Sequence, residues 1–318
     1  MPSSSAVTPE LAAAYEQCRR IHAAHGRTYY LATRLLPRDR RPDVWALYAF
    51  ARVSDELVDG PDVQPANPTA VLAWREQAMA AVQSASPPDP VEQPVLAATW
   101  HTMRAFGLEA GLLQEFLDSM VMDLTVSRYA TWEELRGYMR GSAAVIGELM
   151  APLLGAHGPD ALLRAGALGE AFQLTNFIRD VGEDHGRNRI YLPRADMARF
   201  DVSEDMIADA VRTSTPSPQV RSLVAFEVRR AVSLYAAARP GLSMVDARSR
   251  PCLDAAFTLY KRILHGVIAN DFNVFERRIT VPTWQRLATV GHVATRTAIS
   301  NVSATTGSWR RSTPRPRS

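Results

Sequence analysis

The 318-residue sequence predicts an all-α protein, and three observations carry that expectation. Apolar residues recur at helical spacing in one stretch after another. No alternating run bounded by turn residues reads as a strand. No self-similarity at a period of roughly 20–50 residues points to a repeat architecture.

The elements follow in order. Residues 9–25 read as an amphipathic helix with Pro9 and Glu10 in its first turn. Residues 43–59, "DVWALYAFARVSDELVD", read as a long helix capped by Asp43 and stopped by Gly60 and Pro61. Further helical patterns cover 69–83, 92–106, 109–126, 131–154, 160–184, 203–212, 217–238 and 251–275. The intervening "GPDVQPANP", "SASPPDP" and "STPSP" are punctuated loops. A single all-α domain over 9–300 is expected, with disordered ends at 1–8 and at 301–318, the latter rich in Pro, Arg and Ser.

Composition narrows the function. Hydrophobic residues make up 47% and charged residues 22%, enough for a sizeable core. The formal charge is only +3, and nearly all the cations are arginine, since Lys261 is the single lysine. Guanidinium groups grip phosphate oxygens in a bidentate way. No basic face with interleaved aromatics precedes the tail, so nucleic acid is not an expected partner. Cys18 and Cys252 lack metal-ligand spacing and read as two reduced thiols. No signal-peptide pattern and no uninterrupted run of about 18 apolar residues occurs. A cytoplasmic location is expected, with peripheral membrane contact open. Tail arginines Arg310, Arg311, Arg315 and Arg317 suit either an anionic lipid surface or a solvated end. Nothing in the residues specifies an oligomeric state.

Two pairs of aspartates then stand out, Asp55 with Asp59 and Asp180 with Asp184. Positions i and i+4 project from one helix face about 40° apart, so each pair is mutually repulsive. Tyr48, Arg52, Asp55 and Asp59 form one stripe on a helix that is otherwise apolar on most sides. One such stripe fits a solvated face as readily as a cavity wall. The arrangement recurs as Gln173, Asn176, Asp180 and Asp184, with Arg179 alongside. Two independent stripes favour a site for divalent metal and diphosphate. Mg²⁺ takes a few carboxylates together with phosphate oxygens, and Mn²⁺ is an alternative for the same ligands.

Other groups could complete an anion pocket. His25, Arg27, Thr28 and Tyr29 precede a helical stretch, and Arg187 and Arg189 lie just beyond the second acid pair. Tyr260 and Arg277 flank a late apolar helix. Taken singly, each also fits an ordinary surface or half-buried residue. His25 and His185 are candidate acid–base groups on the same footing. The small residues of "YMRGSAAVIGELMAPLLG" (138–155) suit either close helix packing or a smooth wall for a long apolar tail.

The segments "YYLATRLLP", "VWALYAFARVSDELVDG", "MDLTVSRY", "AFQLTNFIRDVGEDHGRNRIYLP" and "NVFERRITVP" resemble the squalene/phytoene synthase family over about residues 20–290. The resemblance implies an isoprenoid-synthase helical bundle around a central cavity that holds two prenyl diphosphates. It implies metal binding by Asp55, Asp59, Asn176, Asp180 and Asp184. It places Arg52, Gln173, Asn176, Arg179, Tyr260 and Arg277 on diphosphate or its metal ions, and Tyr138 near the reacting carbons. His25, Thr28, Tyr29, Tyr48 and Arg189 complete the expected substrate contacts. Ile146 and Met150 would set room for the tails. The implied activity is head-to-head condensation of two geranylgeranyl diphosphates, through a cyclopropylcarbinyl diphosphate, to phytoene. Use of farnesyl diphosphate is the enzymatic alternative, and a non-catalytic helical binding protein is the alternative from another class. No nicotinamide cofactor is expected, because no glycine-rich strand–turn–helix motif occurs.

The chain departs from the family pattern in places. "YMRGSAAVIG" stands where Tyr-Cys-Tyr-x-Val-Ala-Gly-Thr-Val-Gly is usual, so Arg140 replaces a tyrosine. Gly26 stands where serine is frequent, and Asn188 where Arg-Gly-Arg is common. None of these changes removes one of the four acids.

Overall fold

The computed structural model describes residues 8–59 and 67–295, excluding the side chains of residues 27, 28 and 59. The expected tail at 301–318, and all but Thr8 of the tail at 1–8, therefore lie outside the described residues. The chain runs as α1 (Pro9–His25), α2 (Arg27–Thr33), α3 (Arg41–Asp59), α4 (Pro68–Gln83), α5 (Pro94–Phe106), α6 (Ala110–Met122) and α7 (Trp132–Met139). A π-helical turn, Arg140–Ala144, leads into α8 (Val145–Leu153). Then come α9 (Pro159–Arg179), α10 (Val181–Gly186), α11 (Arg194–Arg199), α12 (Glu204–Thr213), α13 (Pro218–Ala238) and α14 (Arg250–Ala269). A further helix covers 283–295. Among the described residues the only β feature is an isolated bridge between Arg128 and Ile190.

Local chemistry sets the ends. Thr8, Asn67, Thr131, Ser203 and Ser217 each cap a helix with a side-chain oxygen that accepts from its first turn. Pro9, Pro68, Pro94, Pro159 and Pro218 open helices where a missing N–H costs nothing.

Four expected boundaries differ. The helix expected over 160–184 breaks at Asp180, whose φ of −102° and ψ of 13° are not helical. The i+4 register survives the break, because Asp180 N–H donates to Asn176 O and Asp184 N–H to Asp180 O, both at 2.8 Å. The span 131–154 is interrupted by the π turn. The span 109–126 stops at Met122 and gives way to tighter turns that bond three residues back. The span 251–275 ends at Ala269, because Asp271 and Phe272 take left-handed φ of 49° and 56°. The short helix α11 carried no periodic signal of its own.

Helix α9 is the central element and packs along α13 and α8. The interior holds two large apolar cores and a small third cluster of Ala151, Ala156, Ala161 and Val245. One large core gathers residues of α1 to α6 and α8 with the start of α14, and the other residues of α7, α9, α13 and the rest of α14. Phe172 packs against both. A cavity lined by residues of both opens between them.

Three departures from the family pattern acquire reasons here. Asn188 has a φ of 57°, a conformation that Asn tolerates far better than other side chains. A Cβ at Gly26 would lie 2.6 Å from the Tyr48 ring and 2.8 Å from His22 Cδ2, so only glycine fits above that stacked pair. Arg140 forks between Glu148 on α8 and Glu115 on α6, tying the π turn to both helices.

Candidate functional site

The cavity encloses about 400 Å³, within the range of small-molecule sites. The polar stripe of α3 faces into it, since Val44, Tyr48, Ala51, Arg52 and Asp55 all line it. The opposite face of α3 is fixed by Ser54, whose hydroxyl bonds back to Phe50 O (2.9 Å) and accepts from Trp74 Nε1 (2.8 Å). Arg52 donates to Asp55 Oδ2 (3.0 Å) and to Glu56 Oε1 (2.9 Å). Glu56 Oε1 also lies 3.2 Å from His25 Nδ1, so His25 joins this cluster through Glu56 at the exposed rim. Asp59 closes α3, and its side chain, like that of Thr28, lies outside the described residues.

Helix α9 supplies the facing wall with Phe172, Gln173 and Asn176. Thr175 turns the other way and bonds to Ala171 O (2.7 Å) and Tyr235 Oη (3.0 Å), which fixes the rotation of α9. One turn beyond Asn176, the Asp180 carboxylate accepts from Arg179 Nε (2.7 Å) and from Arg278 (3.1 Å). Arg278 also reaches Glu183 at 3.3 Å. Thus Arg278, the neighbour of the expected Arg277, makes the contact with the second acid pair, and Arg277 is exposed. Asp184 follows in the first turn of α10.

Aromatic rings fill the space behind these groups. Tyr29 stacks on Tyr260 at 4.8 Å, and Tyr260 lies 4.3 Å from Phe172. Tyr138 lines the cavity and donates to Asp123 Oδ2 at 2.9 Å. The buried Arg189 donates to Tyr191 Oη (3.0 Å) and Asp123 O (3.1 Å), so it braces Tyr138 from behind rather than lining the cavity. Burial pushes Tyr48 up to about 12, and pushes Tyr29 and Tyr138 well above the usual phenol range. All three hydroxyls stay protonated.

Sequence reasoning passed over Glu56, Asp123, Arg278 and His22. His22 is 1% exposed, lines the cavity and stacks on Tyr48 at 3.9 Å. Burial lowers its pKa to about 3, so the ring is neutral. The i to i+4 step from Cys18 marked it as a core-facing position, and nothing local signalled its ring partner.

The small-residue stretch serves both expected purposes. A Cβ at Gly147 would lie 2.2 Å from Ala165 O, and one at Gly169 would lie 2.3 Å from Ala143 O. Those glycines let α9 touch α8 and the π turn backbone to backbone. Ser142, Ala143, Ile146 and Met150 meanwhile line the cavity.

The donor set suits a hard cation. Asn176 Oδ1 is buried without a hydrogen-bond partner, at a cost of about 1–3 kcal/mol that a ligand would relieve. Carboxylate and amide oxygens are the ligands such ions take. Among the described residues no three His, Cys, Asp or Glu side chains gather as a closed metal site. Asp55 and Asp180 are instead paired with arginines.

The arrangement is that of the isoprenoid-synthase helical fold. A dehydrosqualene synthase crystallised with ligand superposes with a TM-score of 0.81 at 26% identity, over 90% of this chain and 97% of that one. The squalene synthase HpnC from Alicyclobacillus acidocaldarius follows at 0.73 and 28%, over 84% and 97%. Residues 22–285 match the squalene/phytoene synthase family, and the chain belongs to that family of prenyltransferases. It is 33% identical to a 15-cis-phytoene synthase of Synechococcus elongatus over 88% of its own length and 92% of the relative's. A 15-cis-phytoene synthase of Synechocystis sp. is 37% identical over 86% and 82%. The chloroplastic phytoene synthase 2 of Solanum lycopersicum is 34% identical over 88% and 89%.

Proposed function

We propose that this chain condenses two geranylgeranyl diphosphates head to head to give phytoene, for carotenoid biosynthesis. The observation that carries the reading is one cavity with a charged end, Arg52 and Asp55 facing Gln173 and Asn176, and a long apolar remainder. Relatives named phytoene synthase at 33–37% identity support the choice of product.

The chain's residues have distinct tasks in this scheme. Asp55, Asp59, Asn176, Asp180 and Asp184 would hold Mg²⁺ or Mn²⁺. Bound there, the metal would neutralise diphosphate and so favour ionisation of the C1–O bond. Arg52 and Arg179 add positive charge, and Arg277 completes the expected donors. Gln173, Tyr48, Tyr260, Thr28, Tyr29 and His25 orient the head groups. With the first diphosphate released, the C2=C3 bond of the second substrate attacks C1 of the allylic cation, and loss of a proton from that carbon closes the ring of a cyclopropylcarbinyl diphosphate. A second ionisation, rearrangement and proton loss complete the product. The apolar walls exclude water that would quench each cation. Tyr138, braced by Asp123 and in turn by Arg189, offers a ring face to positive charge.

The domain is taken as residues 9–300. The protein is placed in the cytoplasm and in peripheral contact with a membrane, because a C40 hydrocarbon has no place in water. Among the described residues no helix is long and apolar enough to cross a membrane.

Purified protein supplied with Mg²⁺ and either the C15 or the C20 diphosphate, followed by hydrocarbon extraction, tests the reading. Phytoene from the C20 substrate is expected, and product from the C15 substrate alone would sink it. Asp55→Ala and Asp180→Ala should abolish turnover while far-ultraviolet circular dichroism stays unchanged. Near-wild-type rates in either variant would exclude the metal–diphosphate role.

A further inference from the structure

His22 breaks a packing rule at the wall of the cavity. It is 1% exposed, and neither of its ring nitrogens has a hydrogen-bond partner. A neutral imidazole carries one N–H donor and one acceptor nitrogen, and burying both unpaired costs stability. An apolar side chain of similar size would fill the position without that penalty. Such local inconsistencies gather at functional sites.

What the ring does touch is Tyr48. The two rings stack at 3.9 Å with 17° between their planes, and both residues line the cavity. Tyr30 meets the His22 ring at 5.5 Å in a T-shaped contact, and Arg19 Nη1 anchors Tyr30 by donating to its hydroxyl at 2.8 Å. Tyr48 stands one turn before Arg52 on the polar stripe of α3, where the charges of Arg52, Asp55 and Glu56 act on its hydroxyl.

The hydroxyl end of the Tyr48 ring is closed by bare backbone. A Cβ added to Gly26 would lie 2.6 Å from both Cζ and Oη of Tyr48. Gly26 has a φ of −107°, so no left-handed turn requires glycine there; the close approach of the tyrosine does. The end of α1 therefore supplies two restraints on one side chain, a flat ring against its face and backbone against its tip.

We propose that His22, together with Gly26, is a positioning residue that fixes the Tyr48 ring at the charged end of the cavity. It acts by shape, as a flat uncharged face, and makes no bond to substrate. The inference rests on the reading of Tyr48 as a group that orients the substrate head groups.

The test measures kcat/KM for geranylgeranyl diphosphate with Mg²⁺, together with thermal unfolding. The variants are His22→Leu, His22→Phe, Gly26→Ala and Tyr48→Ala, with His22→Leu and Gly26→Ala each repeated in the Tyr48→Ala background. Misplacement by about 1 Å costs about 100-fold, so His22→Leu should lower kcat/KM by about 10–100-fold. Its melting temperature should be no lower than that of wild type, because the unpaired nitrogens are gone. His22→Phe restores a flat face and should recover most of the lost activity. Gly26→Ala, which forces the tyrosine aside, should lose about 10-fold or more. In the Tyr48→Ala background, His22→Leu and Gly26→Ala should each change kcat/KM by less than about 2-fold, since both act through the missing ring.

A wild-type rate in a folded His22→Leu overturns the proposal. So does the same fold-loss with and without Tyr48, because His22 would then act independently of it. Equal losses in the leucine and phenylalanine variants also overturn it, since a flat face would not be the determinant. If neither His22 variant folds, Gly26→Ala decides, and an equal loss in both backgrounds overturns the seat. A wild-type rate in Tyr48→Ala would remove the role of Tyr48 on which the proposal rests. Failure of wild type on every prenyl diphosphate would instead overturn the proposed function.

Discussion

Gly169→Ala sets local helix propensity against tertiary packing. Glycine inside a helix is about 1 kcal/mol worse than alanine, so propensity alone predicts stabilisation. In the fold, the new Cβ would lie 2.3 Å from Ala143 O, 2.8 Å from Ala143 C and 3.2 Å from Ala144 Cα. Carbon–oxygen contacts normally sit at about 3.3–3.6 Å, so α9 and the π turn must separate by about 1 Å. Overpacking of this kind costs about 1–3 kcal/mol, and because backbone rather than a flexible side chain must yield, the upper part of that range applies. The net expectation is destabilisation by about 1–2 kcal/mol after the propensity gain. Gln173 lies one turn from Gly169 on the same face, so turnover should fall with stability. The control is Gly137→Ala in α7, where nothing lies within 4 Å of the added carbon. That variant should gain up to about 1 kcal/mol and keep full activity. Urea unfolding and steady-state rates on both variants decide the matter. A Gly169→Ala protein as stable and as active as Gly137→Ala would refute the close-packing argument.

Three further outcomes are expected. Burial raises the Glu227 carboxyl to about 7, against the opposing pull of Arg230, so the folded state holds its proton longer than the unfolded chain does. This contribution to stability is full below the ordinary glutamate range and is lost as pH rises through about 7; Glu227→Gln should flatten the stability profile between pH 5 and 8. Burial pushes both thiols, Cys18 and Cys252, up to about 12, so a thiol reagent should label neither in the native protein and both after denaturation. Chelation should stop turnover, and added Mg²⁺ or Mn²⁺ should restore it, with no change in helical signal, because the helices are held together by apolar cores rather than by the acids.

Particular residues show what was legible in the sequence. The stripes of Tyr48, Arg52 and Asp55 and of Gln173 and Asn176 could be read because helical spacing alone puts them on one face. That both stripes line one cavity was an expectation that packing then met. The bracing of Tyr138 by Asp123 could not be read, since the two are fifteen residues apart and joined across separate helices. The same holds for Arg278 on Asp180, ninety-eight residues apart. A one-residue choice between Arg277 and Arg278 depends on how the segment after α14 leaves its left-handed turn, and no local propensity encodes that.

The sequence by itself determined the helical class, the order of the long helices and the chemistry of the two acid stripes. Each of these depends on interactions within a few residues, where 3.6-residue periodicity and capping rules operate. Only the tertiary structure decided where α9 meets α8, which arginine faces which acid, and which residues meet around the cavity. Those are contacts between residues distant in the chain, fixed by shape and volume as the two cores close around α9.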